Sequence, residues 1–113
     1  MPGTPFSAET RITGGTTVID LTGDIDRNAK EALEGAYSRG AAEGPVILNF
    51  SDVDYINSTG IAVIVALLAH ARTDGRQLRA YGLSPHYHEI FQITRLADFM
   101  SIYDDELAAV AVQ

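Results

Sequence analysis

At 113 residues the chain is the size of one compact domain, and 46% hydrophobic against 20% charged residues is enough to bury a core without staples. Fifteen acidic residues against eight basic ones give a net charge of -7, which argues against nucleic acid and anionic membrane surfaces as partners. Cysteine is absent, so disulfides and thiolate metal sites are excluded.

The first ten residues carry no basic start and no long apolar run, so no secretory signal is read there. The longest apolar stretch, residues 61–69, is too short to span a bilayer. The expectation is a single soluble domain over residues 1–113, cytoplasmic in location. Residues 6–13 form a candidate strand, Gly14-Gly15 a tight turn, and the β-branched run at 16–22 a second strand, together an N-terminal hairpin. Gly23-Asp24-Ile25-Asp26 then breaks the strand, and Asp26 or Asn28 can cap a helix with a short side-chain oxygen. Ala29, Ala32, Leu33, Ala36 and Tyr37 recur at helical spacing as one buried face. Residues 45–50 read as a short buried strand, and residues 51–57 as a polar loop.

Residues 61–72 are apolar nearly all round, which predicts a helix covered on most sides, stopped by Gly75. A strand at 77–82 follows. Ser84-Pro85 then opens a helix that turns Ile90 and Phe91 to the core and runs to about Arg95. Residues 99–103 make the last strand. Asp104, Asp105 and Glu106 open a final helix, where carboxylates suit the positive end of the helix dipole. Strands alternating with helices imply an α/β fold. Its sheet of about five strands is mixed but mostly parallel, with right-handed crossovers and about four helices.

Sites in such folds gather where loops leave the carboxyl ends of strands. The segment after Phe50 is one such place, and it ends in Asn57-Ser58-Thr59-Gly60. Ser58 is placed as an N-cap, and the free N–H groups of the next turn would also suit a phosphate on its oxygen. Gly60 lacks a side chain, which would let a partner's active site come close. From the local sequence alone, a plain cap is favoured over a phosphoacceptor, since short motifs have many false matches.

A wider pattern changes that reading. Val46-Ile47-Leu48-Asn49-Phe50, Val53 and Tyr55-Ile56-Asn57-Ser58-Thr59-Gly60-Ile61 resemble the signature of STAS-domain anti-sigma-factor antagonists: an apolar strand, a short loop, Asp-Ser-(Ser or Thr)-Gly, and an apolar helix. Leu21-Thr22-Gly23-Asp24-Ile25-Asp26, Gly75-Arg76-Gln77-Leu78 and Phe91-Gln92-Ile93-Thr94-Arg95-Leu96 resemble three further segments of that family, in order. The resemblance implies the STAS fold and makes Ser58 the phosphoacceptor. It places Asp26, Asn57, Ser58, Thr59, Gly60 and Ile61 in the partner-binding surface. The implied partners are an anti-sigma factor that is also a serine kinase and a PP2C-type phosphatase. Neither enzyme activity nor a cofactor is expected, and the assembly state is expected to be a monomer or weak dimer. The alternative is a non-catalytic STAS scaffold subunit in a signalling or transporter assembly.

This chain departs from the pattern twice. Asn57 stands where the family has aspartate, which removes a negative charge beside the acceptor, and Arg95 replaces a glycine at a position that reads as peripheral. Other constellations carry no chemistry. His86 and His88 point to different helix faces, so no metal pair is expected. Asp52 and Asp54 lack a glycine-punctuated ligand loop. His70 reads as a packed structural histidine near a helix C-terminus, and no Gly-x-Ser-x-Gly elbow accompanies Ser58.

Overall fold

The computed structural model describes residues 3–111. In chain order it runs β1 (Ser7–Thr13), β2 (Thr16–Ile25), a 3-10 turn (Arg27–Ala29), α1 (Lys30–Ser38), β3 (Val46–Ile56), α2 (Ser58–Thr73), β4 (Leu78–Tyr81), α3 (Pro85–Ile93), a second 3-10 turn (Leu96–Asp98), β5 (Ser101–Tyr103) and α4 (Glu106–Ala111). The strands lie side by side in sequence order, with β1–β2 antiparallel and the other neighbours parallel. Gly14 and Gly15 take φ of 56° and 84°, the paired positive values a two-residue hairpin turn needs.

Because each parallel strand is added on the same side of the last, right-handed crossovers put α1, α2 and α3 on one face. There Ile19, Leu21, Leu48, Phe50 and Ala80 meet Leu33, Ile64, Leu67, Leu68 and Phe91 in the main core. Phe50 and Phe91 pack edge to face at 5.6 Å. The other face is left to α4, which covers Val18, Ile47 and Tyr81 with Ala109.

Side-chain clamps hold α4 in place. Arg11 reaches from β1 to Asp20 (2.6 Å) and to Glu106 (2.5 Å), and the Tyr81 hydroxyl donates to Glu106 at 2.8 Å. At the far end buried Arg79 donates to the Ala109 carbonyl at 2.8 Å, a cation at a helix C-terminus. Hydrogen bonds from Arg11 hold the Asp20 and Glu106 carboxyls below their ordinary values of 3.8 and 4.5. Burial, with the bond to Glu106, pushes Tyr81 up to about 12. Groups with lowered folded values stabilise the fold above their unfolded values, and that contribution is lost as pH falls through the folded ones. Acid titration is therefore expected to erode stability from about pH 4.5 downwards, by about 1 kcal/mol for each pair, since these side chains are a third exposed. Arg11→Met should flatten this acid limb in urea melts at stepped pH, and an unchanged limb would count against the clamp.

Several elements depart from the sequence expectation. Gly23, with φ of 86°, bends β2 and does not end it: the strand continues to Ile25. Residues 51–56, expected as loop, are strand. β2 and β3 pair out to Ile25↔Ile56 because register shifts after Asp20 and Gly23 absorb the irregular residues. Ala32 is exposed, since α1 turns Leu33, Ala36 and Tyr37 to the core and the buried Ala29 belongs to the 3-10 turn before it. α2 is covered on one side only: Ala62, Val65, Ala66 and Ala69 face solvent, because nothing among the described residues packs outside the helix layer. α3 ends at Ile93, and β5 is three residues, which leaves Phe99 outside it with the Arg72 guanidinium 5.3 Å above its ring. Arg95 is not peripheral in its backbone. Its φ of 67° is the sole positive value at a non-glycine position among the described residues, at a cost of about 1 kcal/mol relative to the glycine of the family pattern.

Candidate functional site

The site forms where β2 and β3 end together. Asn57 continues the extended backbone of β3 (φ -96°, ψ -177°), and its N–H donates to the Ile25 carbonyl at 3.3 Å. One residue earlier, Ile56 has run beyond the last β3–β4 pair, Asn49↔Tyr81. A hydroxyl stands in for the missing strand there: the Ile56 N–H donates to the Tyr87 oxygen at 2.9 Å. The sequence offered no sign of this role for Tyr87, which sits between two exposed histidines on α3.

The N-cap of α2 is Asn57 and not Ser58. Its Oδ1 accepts the Gly60 N–H at 2.8 Å, and Ser58 is the first helical residue. The expectation for Ser58 is corrected by one position, because an N-cap needs extended backbone and the strand supplies it at 57. Ser58 is exposed, and among the described residues no hydrogen bond engages its hydroxyl. Its neighbour differs. The Thr59 hydroxyl donates to Asn57 Oδ1 at 2.7 Å and accepts the Arg27 N–H at 3.1 Å. Of two adjacent hydroxyls, one is committed and one is open.

Asp26 caps the 3-10 turn beside them, with Oδ1 accepting the Asn28 N–H at 2.8 Å. The turn and the head of α2 enclose a polar cleft of about 300 Å³ lined by Asp26, Arg27, Asn28, Asn57 and Thr59. Buried Asp24 belongs to the support: its N–H donates to the Thr4 carbonyl at 3.1 Å, and its Oδ2 accepts the Thr4 N–H at 3.2 Å. Gly60 is buried, and a Cβ there would collide with the Ile25 carbonyl. The close approach it permits is internal, between α2 and the end of β2, and not the approach of a partner. Ile61 is half-buried and packs against the core. Beyond it the exposed Ala62, Val65, Ala66 and Ala69 continue the face that Ser58 begins, an apolar strip about 10 Å long at 1.5 Å per residue.

The remaining polar constellations lie apart from this place. Among the described residues no three histidines or carboxylates gather as a metal site. His86, His88, Asp52 and Asp54 are exposed. His70 packs on the Tyr37 ring at 4.7 Å with Nδ1 3.1 Å from Glu34. Glu106 is the first-turn charge of α4, as expected, and is also a member of the Arg11 clamp; Asp105 caps α4 through the Ala108 N–H at 2.9 Å. No helix among the described residues is long and apolar enough to cross a membrane.

A parallel sheet wound on one side, a β1–β2 hairpin and an open serine at the head of the helix after β3 define the class. The chain belongs to the STAS domain family, whose model matches residues 7–109. An anti-sigma-B factor antagonist of Listeria monocytogenes is 34% identical over 93 residues, covering 78% of this chain and 79% of the relative. An anti-sigma factor antagonist from Mycobacterium paratuberculosis superposes with a TM-score of 0.73 at 19% identity, over 94% of this chain and 92% of that one. SpoIIAA, a cell fate determinant of Bacillus, superposes in its phosphorylated form with a TM-score of 0.67 at 22% identity, over 96% of this chain and all of that one. Membership places the chain among regulatory domains and not among enzymes.

Proposed function

We propose that the protein is a cytoplasmic anti-sigma-factor antagonist switched at Ser58. In this reading the unphosphorylated form binds an anti-sigma factor that is also a serine kinase, and the sigma factor is released for transcription. The kinase phosphorylates Ser58 and ends the complex, and a PP2C-type phosphatase restores it. The observation that carries the reading is the open Ser58 hydroxyl at the head of a helix whose outer face is apolar and unpartnered.

The physics of the switch is local. A phosphoserine brings about -1.5 to -2 charges at neutral pH to a chain already at -7. The N-terminal end of α2 tolerates that charge, so the fold is retained while the docking surface gains negative charge and bulk. Neutral Asn57 lowers the cost further, since the family's aspartate would repel the phosphate. Asp26, Asn57, Thr59 and Ile61 form the surroundings a partner would meet, and Gly60 shapes them from below.

The test is intact-mass spectrometry after incubation with ATP and an extract of the source cells. Addition of one phosphate is expected, absent from Ser58→Ala. An unmodified wild-type chain, in an extract that phosphorylates a control substrate, would sink the switch and favour a scaffold role.

A further inference from the structure

We infer that the Thr59 hydroxyl is a positioning group that holds the Asp26 turn in register with Ser58. This deepens the reading above and rests on it for its consequences in binding. Pairing of β2 with β3 stops at Ile25↔Ile56, and the last backbone bond between the two segments is Asn57 N–H to Ile25 O. Past that point the two halves of the site diverge, one into the 3-10 turn after Asp26 and the other into α2. The hydrogen bond that spans them is Arg27 N–H to Thr59 Oγ1.

The geometry makes this tie directional. A hydroxyl has one proton to give, and that of Thr59 goes to Asn57 Oδ1, so its lone pairs face Arg27. Asn57 Oδ1 is fixed in turn by the Gly60 N–H. The chain of bonds runs from the first turn of α2 through the cap to the residue next to Asp26. Apart from the buried Gly60 its members are exposed or half-buried, so the Thr59–Arg27 tie contributes little to global stability. What it fixes is where Asp26 stands across the cleft from the head of α2. A partner that reads Asp26 and Ser58 together would have to reorder the turn itself if the tie were absent, and ordering a mobile segment costs affinity. Serine at 59 keeps the hydroxyl. Valine keeps the shape and removes it.

The test compares the full chain as wild type, Thr59→Val and Thr59→Ser, with 15N-labelled protein for the turn and source-cell extract with ATP for Ser58. In Thr59→Val the amides of Arg27 and Asn28 should gain mobility while α2 and the melting temperature stay as in wild type. Phosphate uptake at Ser58 should slow about tenfold. Thr59→Ser should restore both. Asp26→Asn should slow uptake in the wild-type background and add little to Thr59→Val, because the two act through one placement. Unchanged turn amides in Thr59→Val, uptake at the wild-type rate, or no restoration by serine would each overturn the inference. If even wild type takes no phosphate, the switch reading fails, and the amide comparison alone decides whether the tie exists.

Discussion

Gly60→Ala is expected to lower the melting temperature by about 10 °C, and Gly35→Ala to raise it slightly. The chemical change is the same and both glycines are helical. At Gly60 the new methyl would overlap the Ile25 carbonyl oxygen, with the carbonyl carbon at 2.7 Å and the Ile25 Cγ2 at 3.2 Å. Those atoms belong to the end of β2, so relief requires α2 to lift from the sheet. Overpacking of this kind costs about 2–3 kcal/mol, and for a domain of this size each kcal/mol is worth about 4 °C. At Gly35 the nearest atom is the mobile tip of Arg39 at 3.2 Å, and alanine is favoured over glycine in a helix interior by about 0.5–1 kcal/mol. Thermal melts of the two variants give the answer directly. Equal melting temperatures would mean that α2 does not rest on Ile25 as described.

Ser58 variants are expected to separate binding from stability. Ser58→Asp should weaken binding to the kinase by about a hundredfold, since a carboxylate buried in an interface without a partner costs several kcal/mol. Ser58→Ala should bind as tightly as wild type and resist release by ATP. Neither should shift the melting temperature by more than about a degree, because the helix is capped by Asn57. Asn57→Ala is the contrasting case, with a loss of about 1 kcal/mol. Calorimetric titration against the kinase purified by its activity on Ser58 measures the first part, and thermal melts the second. Equal affinity of the alanine and aspartate variants would overturn the switch. A large drop in melting temperature for Ser58→Ala would return the cap to Ser58.

The sequence by itself determined the alternation of strands and helices, the Gly14-Gly15 hairpin and the Ser84-Pro85 helix start. These are local matters of periodicity, turn chemistry and caps, set by neighbours within a few residues. Tertiary structure decided the rest. Residues 51–56 are polar enough to read as loop, and they are strand because β2 lies beside them to pair with. Asn57 takes the cap from Ser58 because that same strand delivers extended backbone one residue earlier than composition suggested. Arg95 carries a left-handed backbone that nothing local demands of arginine. The Thr59–Arg27, Tyr87–Ile56 and Arg11–Glu106 contacts join residues 32, 31 and 95 positions apart. No window along the chain holds both partners of such a bond. Which of two adjacent hydroxyls is committed and which stays open was therefore settled only when the ends of β2 and β3 were brought together.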